Sequence, residues 1–218
     1  MSSPAKVGRR QEYADQTRRA IVLAARHLFA ERGYGPTRVE DIARLANVAP
    51  ITVYTVVGGK AGLLRTLMEI WSAAPIVETT LTSLQEMKDP KAVLRTVARV
   101  ARSMREEFGD IIHVMLDAAP HDQVVAESLA IATARYRQSF LTVARHLATL
   151  NALQTELTPE EAADVFWFYF GYWGYFTLHN ENKWTYEKAE QWLLKAAGQA
   201  LLKDAACTEI PGHDPRAQ

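Results

Sequence analysis

The chain has 218 residues, 48% of them hydrophobic, enough for one large domain or two small ones with a sizeable core. One cysteine, Cys207, excludes an internal disulfide and fits a reduced compartment. No apolar run reaches the ~20 residues that span a bilayer. The start, MSSPAKVGRRQEYADQTRR, lacks the apolar stretch of a secretory signal, so the cytoplasm is the expected location. Net charge is zero over the whole chain but not locally: residues 1–65 hold 11 Lys+Arg against 5 Asp+Glu, and the remainder holds 14 against 20. A basic head on an acidic body predicts a polyanion-binding segment joined to a separate domain.

In chain order, Ile21, Ala24, Ala25, Leu28 and Phe29 fall at helical spacing and predict a first helix with one apolar stripe. It ends at ERGYGPT, where Gly33 suits a helix end and Pro36 cannot continue one. Thr37 and Glu40 have the spacing of a capping box for a short second helix. That helix offers Ile42, Ala43, Leu45 and Ala46 for burial, and Asn47 ends it. The next stretch, PITVYTVVGGK, is β-branched at every position from Ile51 to Val57 except Tyr54 and by propensity reads as a strand. Pro50, however, sits where a helix would start, and AGLLRTLMEIW after the glycines is helical in period. A strand here would have no partner, so the stretch is predicted as a third helix held by packing of Val53, Val56 and Val57.

Helix, short helix, turn and short helix in a basic segment follow helix-turn-helix logic. From RRAIVLAARHLFAERGYGPT through TRVEDIARLANVAPITVYTVVGGKAGLL, roughly residues 17–64, the chain resembles the DNA-binding domain of the tetracycline-repressor-like (TetR) family. It departs from the family's usual residues at Asn47, Ala49, Val56-Val57 and Gly59. An α-helix fits the major groove with its N-terminal residues at base edges, so Pro50, Ile51, Thr52 and Thr55 are the expected groove residues, with Arg38 and Arg44 near enough to add to them. The third helix has no Arg, Asn or Gln, which leaves it without strong bidentate reading of guanine or adenine. The resemblance assigns phosphate contacts to Tyr54 and Lys60 and a backbone contact to Thr37. Lys6, Arg9, Arg10, Arg18 and Arg19 form a basic arm that either meets DNA or is only solvated.

Further helices are expected at about 90–108, 110–118, 122–150, 159–180 and 185–203. Asp164–Phe176, DVFWFYFGYWGYF, carries nine aromatics in thirteen residues and must be buried on every side. Trp167, Gly171, Gly174 and Leu178 share one ridge whose glycines permit close approach. The resemblance places the last two helices in a dimeric four-helix bundle, to which this ridge, Trp192 and Ala196 are assigned. Phe166, Phe170 and Trp173 would face the family's ligand pocket, together with Met68, Trp71, Met104, Phe108, His113 and Met115. Asp117, four residues after His113, and Tyr136 are further candidates; an ordinary core or surface role is the plain alternative for each.

Enzyme motifs are missing, namely GxSxG, P-loop, HExxH, GxGxxG and CxxC, and no histidine has metal-ligand spacing. The expected molecule is therefore an all-α homodimer without metal or cofactor. Residues 1–64, with 1–14 as the arm, would bind double-stranded, pseudopalindromic operator DNA. Residues 65–205 would dimerise and bind a small apolar or aromatic effector that releases the operator; residues 206–218 would form a disordered tail. The alternatives are a ligand-independent architectural DNA-binding protein and a helical enzyme using the aromatic cavity.

Overall fold

The structure, a computed structural model, describes residues 8–72 and 74–203. Lys6, Cys207 and the expected tail lie outside the described residues. The described residues are helical throughout apart from turns, connecting loops and one antiparallel bridge, Leu153 to Leu202. None of the helices is long and apolar enough to cross a membrane. The chain groups into two compact units: residues up to 74 with 108–132, and residues 75–107 with 133 onward. The division expected at residue 64 differs from this in leaving out the second half of the fourth helix and residues 108–132.

The first unit opens with α1 (Arg9–Arg32). It starts directly after Gly8, so the stretch up to residue 14 that was expected to be a disordered arm is helical from Arg9 onward. Nothing in RRQEYADQ breaks a helix, and the stripe residues that follow fix it in place. Ile21, Ala24, Ala25, Leu28 and Phe29 are all buried, as their spacing predicts. Then come α2 (Val39–Leu45), α3 (Pro50–Val57) and α4 (Gly59–Ser72). Leu45 is 51% exposed; Val39, Ile42 and Ala43 carry the burial of α2 instead. Asn47 takes the left-handed conformation at φ 54° and turns the chain out of α2.

Thr37 makes no capping box. Helix α2 begins one residue later than that box requires, with Arg38 at its N-cap. The Thr37 side chain is buried and donates to the carbonyls of Gly33 (2.8 Å) and Leu28 (3.2 Å), pinning the α1–α2 turn from inside. The unit also contains the later part of α6 (Pro90–Ala118), where Asp110 receives both Nε and Nη2 of Arg26 on α1 at 2.6 and 2.8 Å.

The second unit contains α5 (Pro75–Leu84), the first part of α6 (Pro90–Ala118), the later part of α7 (Gln123–Thr149), α8 (Pro159–Phe170), α9 (Tyr172–Tyr175) and α10 (Tyr186–Leu201). The two helices expected at 90–108 and 110–118 are one, because Gly109 lowers helix propensity without breaking the ladder. The single helix expected at 159–180 is three pieces: α8, α9 and a π-helical turn, Phe176–Glu181. The break falls at Gly171, whose backbone is extended. The Tyr136 hydroxyl donates to the Phe170 carbonyl at 2.8 Å, so a side chain enters the helix ladder where it opens. The start of α8 is fully capped: Glu161 N–H donates to Thr158 Oγ1, and Thr158 N–H donates to Glu161 Oε2. Helix α10 starts on Thr185, whose hydroxyl accepts from Lys188 N–H.

Candidate nucleic-acid interface

Helix α3 turns Val53 and Val57 into the first unit's core and leaves Ile51, Tyr54 and Thr55 exposed, with Thr52 half-buried. Its first position is Pro50, which has no N–H, and its N-cap is Ala49, which has no side-chain acceptor; Thr52 N–H donates to the Ala49 carbonyl at 2.9 Å, so no side chain caps this end. A helix N-terminus of this kind attracts phosphate oxygens. Ile51, 69% exposed, is an apolar group free to meet a thymine methyl. The Thr55 hydroxyl donates to the Ile51 carbonyl and retains its lone pairs outward.

The α3–α4 corner is built from three glycines. Gly58 and Gly59 both take positive φ, 75° and 73°. A Cβ on Gly59 would lie 2.9 Å from the Tyr54 ring, so the missing side chain leaves room for that ring to fold over the corner. A Cβ on Gly62 would come within 1.7 Å of the Val57 carbonyl oxygen, a backbone atom that cannot move aside. Gly62 is a functional support that period and motif reading passed over; a glycine four residues past a Gly-Gly turn was its signal.

Lys60, at the start of α4, donates to the Gly35 carbonyl at 2.9 Å and lies 4.3 Å from the Tyr34 ring centre. Partial burial lowers its pKa. Its ammonium has three donors, so two remain for a phosphate. Arg38 is exposed at the N-cap of α2, and Arg44 is exposed and paired with Asp41. Pro50, Ile51, Thr52, Tyr54, Thr55 and Lys60 thus gather on α3 and its exit, with Arg38 and Arg44 on α2. Thr37 alone of the nine is turned into the interior.

The expected effector residues divide between the units. Met68, Trp71, Phe108, His113 and Met115 belong to the first; Met104, Phe166, Phe170 and Trp173 to the second. Trp71, Met104, Phe108, Met115, Phe166 and Phe170 are buried, and Met68 is half-buried. Phe166 stacks on Phe140 at 5.7 Å and lies 6.2 Å from Phe170 in the second unit's core. Trp173 does not face inward: the break at Gly171 turns the aromatics after it, and Trp173 is 62% exposed. His113 and Asp117 form an exposed pair at 3.6 Å.

The expected interface ridge is also redistributed by that break. Trp167 packs edge-on against Tyr136 and Tyr172, and Leu178 is buried in the second unit. A Cβ on Gly171 would meet the Trp167 carbonyl at 2.3 Å, and one on Gly174 the Tyr169 carbonyl at 2.5 Å, so both glycines serve the chain's own backbone. Trp192 is half exposed and Ala196 half-buried on α10, and both line a shallow surface groove. Phe168, absent from the expected set, is 73% exposed on α8. In the sequence it was one aromatic among nine.

These features define a helix-turn-helix DNA-binding unit followed by a helical body. Residues 21–67 match the model of the bacterial regulatory proteins of the tetR family. Over that segment the chain carries the DNA-binding domain of that family, and the match supports a DNA-binding transcriptional regulator. Among solved structures, it is similar over 93% of its length to 98% of SmeT in its complex with triclosan, at 20% identity and a TM-score of 0.70. It is similar over 88% of its length to 99% of NalD, the secondary repressor of the MexAB-OprM multidrug efflux pump in Pseudomonas aeruginosa, at 24% identity and a TM-score of 0.69. A transcriptional regulator from Saccharomonospora viridis in complex with choline matches over 87% of this chain and 99% of its own, at 16% identity and a TM-score of 0.69. At these identities the likeness establishes the fold. No curated protein matches.

Proposed function

We propose that the protein is a dimeric repressor of a pseudopalindromic operator, released by a small effector that binds the C-terminal helices. The observation that carries the DNA half of this reading is the exposed start of α3, capped by no side chain, with Lys60 past the helix's other end and Ile51, Thr52 and Thr55 available for the groove. Exposed Phe168 on α8 and Trp192 on α10 support dimerisation through these two helices, since large apolar side chains left at a surface mark association sites. The complexes of two structural neighbours with triclosan and with choline support a small-molecule effector. Release of DNA requires that the effector bind the DNA-incompetent form more tightly than the bound form. The Arg26–Asp110 fork ties α1 to α6, so a movement of α6 acts on the DNA-binding helices.

Selection of bound sequences from a random duplex pool tests the reading. The enriched sites are expected to be pseudopalindromes with half-sites about one helical turn or somewhat more apart. Lys60→Ala should weaken all duplexes alike and reduce the salt slope by about one, whereas Thr52→Ala should alter the preferred sequence. Phe168→Asp should dissociate the dimer in sedimentation. Loss of specific and non-specific binding in equal proportion in both DNA variants would dissolve this division of labour.

A further inference from the structure

The second unit buries a cation that its own side chains do not neutralise. Arg105, on α6, is 1% exposed, and its Nε, Nη1 and Nη2 make no hydrogen bond among the described residues. Around the guanidinium stand aromatic faces: Tyr172 at 5.3 Å, Tyr136 at 5.7 Å and Phe176 at 6.0 Å from ring centre to Cζ. Such faces offset part of the desolvation of a cation, but they offer no acceptor to the N–H groups in the guanidinium plane. The neighbouring carboxylates are committed elsewhere. Arg102, one turn earlier, takes Glu106, Glu187 and Glu190.

The hydroxyl protons around the cage are placed elsewhere, with one exception; the Tyr136 oxygen still has a lone pair toward Arg105, a neutral acceptor that does not cancel the charge. Tyr136 donates to the Phe170 carbonyl, Tyr172 pairs with Thr133 at 3.0 Å, and Tyr186 donates to the Arg105 carbonyl at 3.3 Å. Tyr175 is the exception: its hydroxyl is buried and has no hydrogen-bond partner among the described residues. Burial first, and the charge of Glu190 second, hold this phenol far above its ordinary pKa, so it keeps its proton and remains a donor. A buried guanidinium and a buried phenol, both lacking partners in one aromatic cluster, are an unmatched set of donors. A buried charge without a hydrogen-bonded counter-charge is costly, and folded proteins retain one where something else supplies the acceptor.

We infer that Arg105 is the anchor for the effector, and that the effector is a small carboxylate with an apolar or aromatic body. A carboxylate matches the planar fork of a guanidinium with two parallel hydrogen bonds; a phosphate can do the same, but the carboxylate is the smaller and less highly charged group and suits a site walled by aromatic rings. The aromatic walls take the apolar body. A cationic effector is excluded from this position by repulsion. The inference rests on the effector-released reading above and specifies its ligand class.

The test compares two acids, octanoate and phenylacetate, with their neutral amides, octanamide and phenylacetamide. Binding is read by calorimetry and melting temperature on the full chain, and release by anisotropy on the selected duplex. In the wild type each acid should bind at least tenfold more tightly than its amide. Arg105→Met should abolish that preference and melt, without ligand, at or above the wild-type temperature, because it removes an uncompensated charge while keeping the volume. Arg105→Lys should keep a weaker preference for the acids. Acids that bind no better than their amides, or a ligand-free Arg105→Met that melts several degrees lower, would overturn the inference, the latter by making Arg105 a structural keystone. Acids that bind through Arg105 without freeing the duplex would leave the anion site standing and remove the switch. Release by the amides alone would do the reverse.

Discussion

Helices α3 and α8 begin alike and are finished differently. Both place a proline at the first helical position, Pro50 and Pro159. At α8 the preceding Thr158 and the following Glu161 close a complete capping box. At α3 the preceding residue is Ala49, and no side chain closes the end. The difference follows what each end faces. The start of α8 is exposed, and the chain satisfies its own donors there. In the proposed function the start of α3 is the end offered to DNA, where a cap would compete with phosphate for the same N–H groups. The local stability given up at α3 is recovered by burying Val53 and Val57 and by the glycine corner behind it.

The sharpest way to break this contrast is to remove the packing that holds each helix. Phe166 of α8 is fully buried and stacked on Phe140. Phe166→Ala should cost ~3–5 kcal/mol in denaturant unfolding, since deletion of a buried aromatic leaves a cavity. A cost below ~1 kcal/mol would mean that the second unit is held by something other than this core. At the α3 end the corresponding change is Gly62→Ala. Its Cβ meets backbone rather than a side chain, so relief requires α3 and α4 to part. The expected cost is at the upper end of the ~1–3 kcal/mol typical of overpacking, with loss of DNA binding disproportionate to the loss of stability. Gly62→Ala with unchanged melting and unchanged binding would show that the corner relaxes freely.

How far the sequence carries the reader differs between the two regions for a physical reason. At α3 the punctuation residues are local: Pro50 and Gly58 mark the ends against a β-branched interior, and the helix forms there. Asn47 at φ 54° was equally legible, because few residues tolerate that conformation. The break at Gly171 was not legible. The aromatic period runs straight through it, and its cause is a hydroxyl from α7, Tyr136, thirty-four residues away. Thr37 misled for a related reason: its spacing from Glu40 suits a cap, but the carbonyls of Gly33 and Leu28 hold its hydroxyl. Arg105 was passed over because it follows Arg95, Arg99 and Arg102 at helical spacing and reads as part of a solvated stripe. Only the fold shows that this stripe runs inward, with Arg102 already bridging to α10.

A milder change sharpens the same contrast from the other side. Ala49→Ser supplies the acceptor that α3 lacks. It should stabilise the first unit by ~1 kcal/mol, the usual worth of an N-cap. Affinity for the selected duplex should fall at the same time, because the serine oxygen occupies donors otherwise open to phosphate. Both effects are read on one protein, by melting and by anisotropy. A gain in stability with no loss of affinity would place the phosphate contacts elsewhere, at Lys60 and Tyr54.

The smallest effect concerns the capped end. The Thr158 backbone N–H first, and its hydroxyl second, hold the Glu161 carboxyl below the ordinary glutamate value of 4.5. A depressed pKa in the folded state contributes stability that is fully present above the unfolded value and lost as pH falls through the folded one. The contribution of Glu161 should therefore be constant at neutral pH and begin to fade below about 4.5. Many carboxylates titrate in that range, so the informative quantity is the difference between wild type and Glu161→Gln. Glutamine still reaches back to the N-cap amide but carries no charge, so the difference should be small and constant near neutrality and shrink as the pH is lowered. Helix α3 has no acidic residue in its first turn, and the same pair of measurements on Ala49→Ser should show a difference independent of pH. A Glu161→Gln difference equally flat from pH 7 to below 4 would mean that the box at α8 acts through hydrogen bonding alone. The two helix starts would then differ only in whether an acceptor is present, and not in charge.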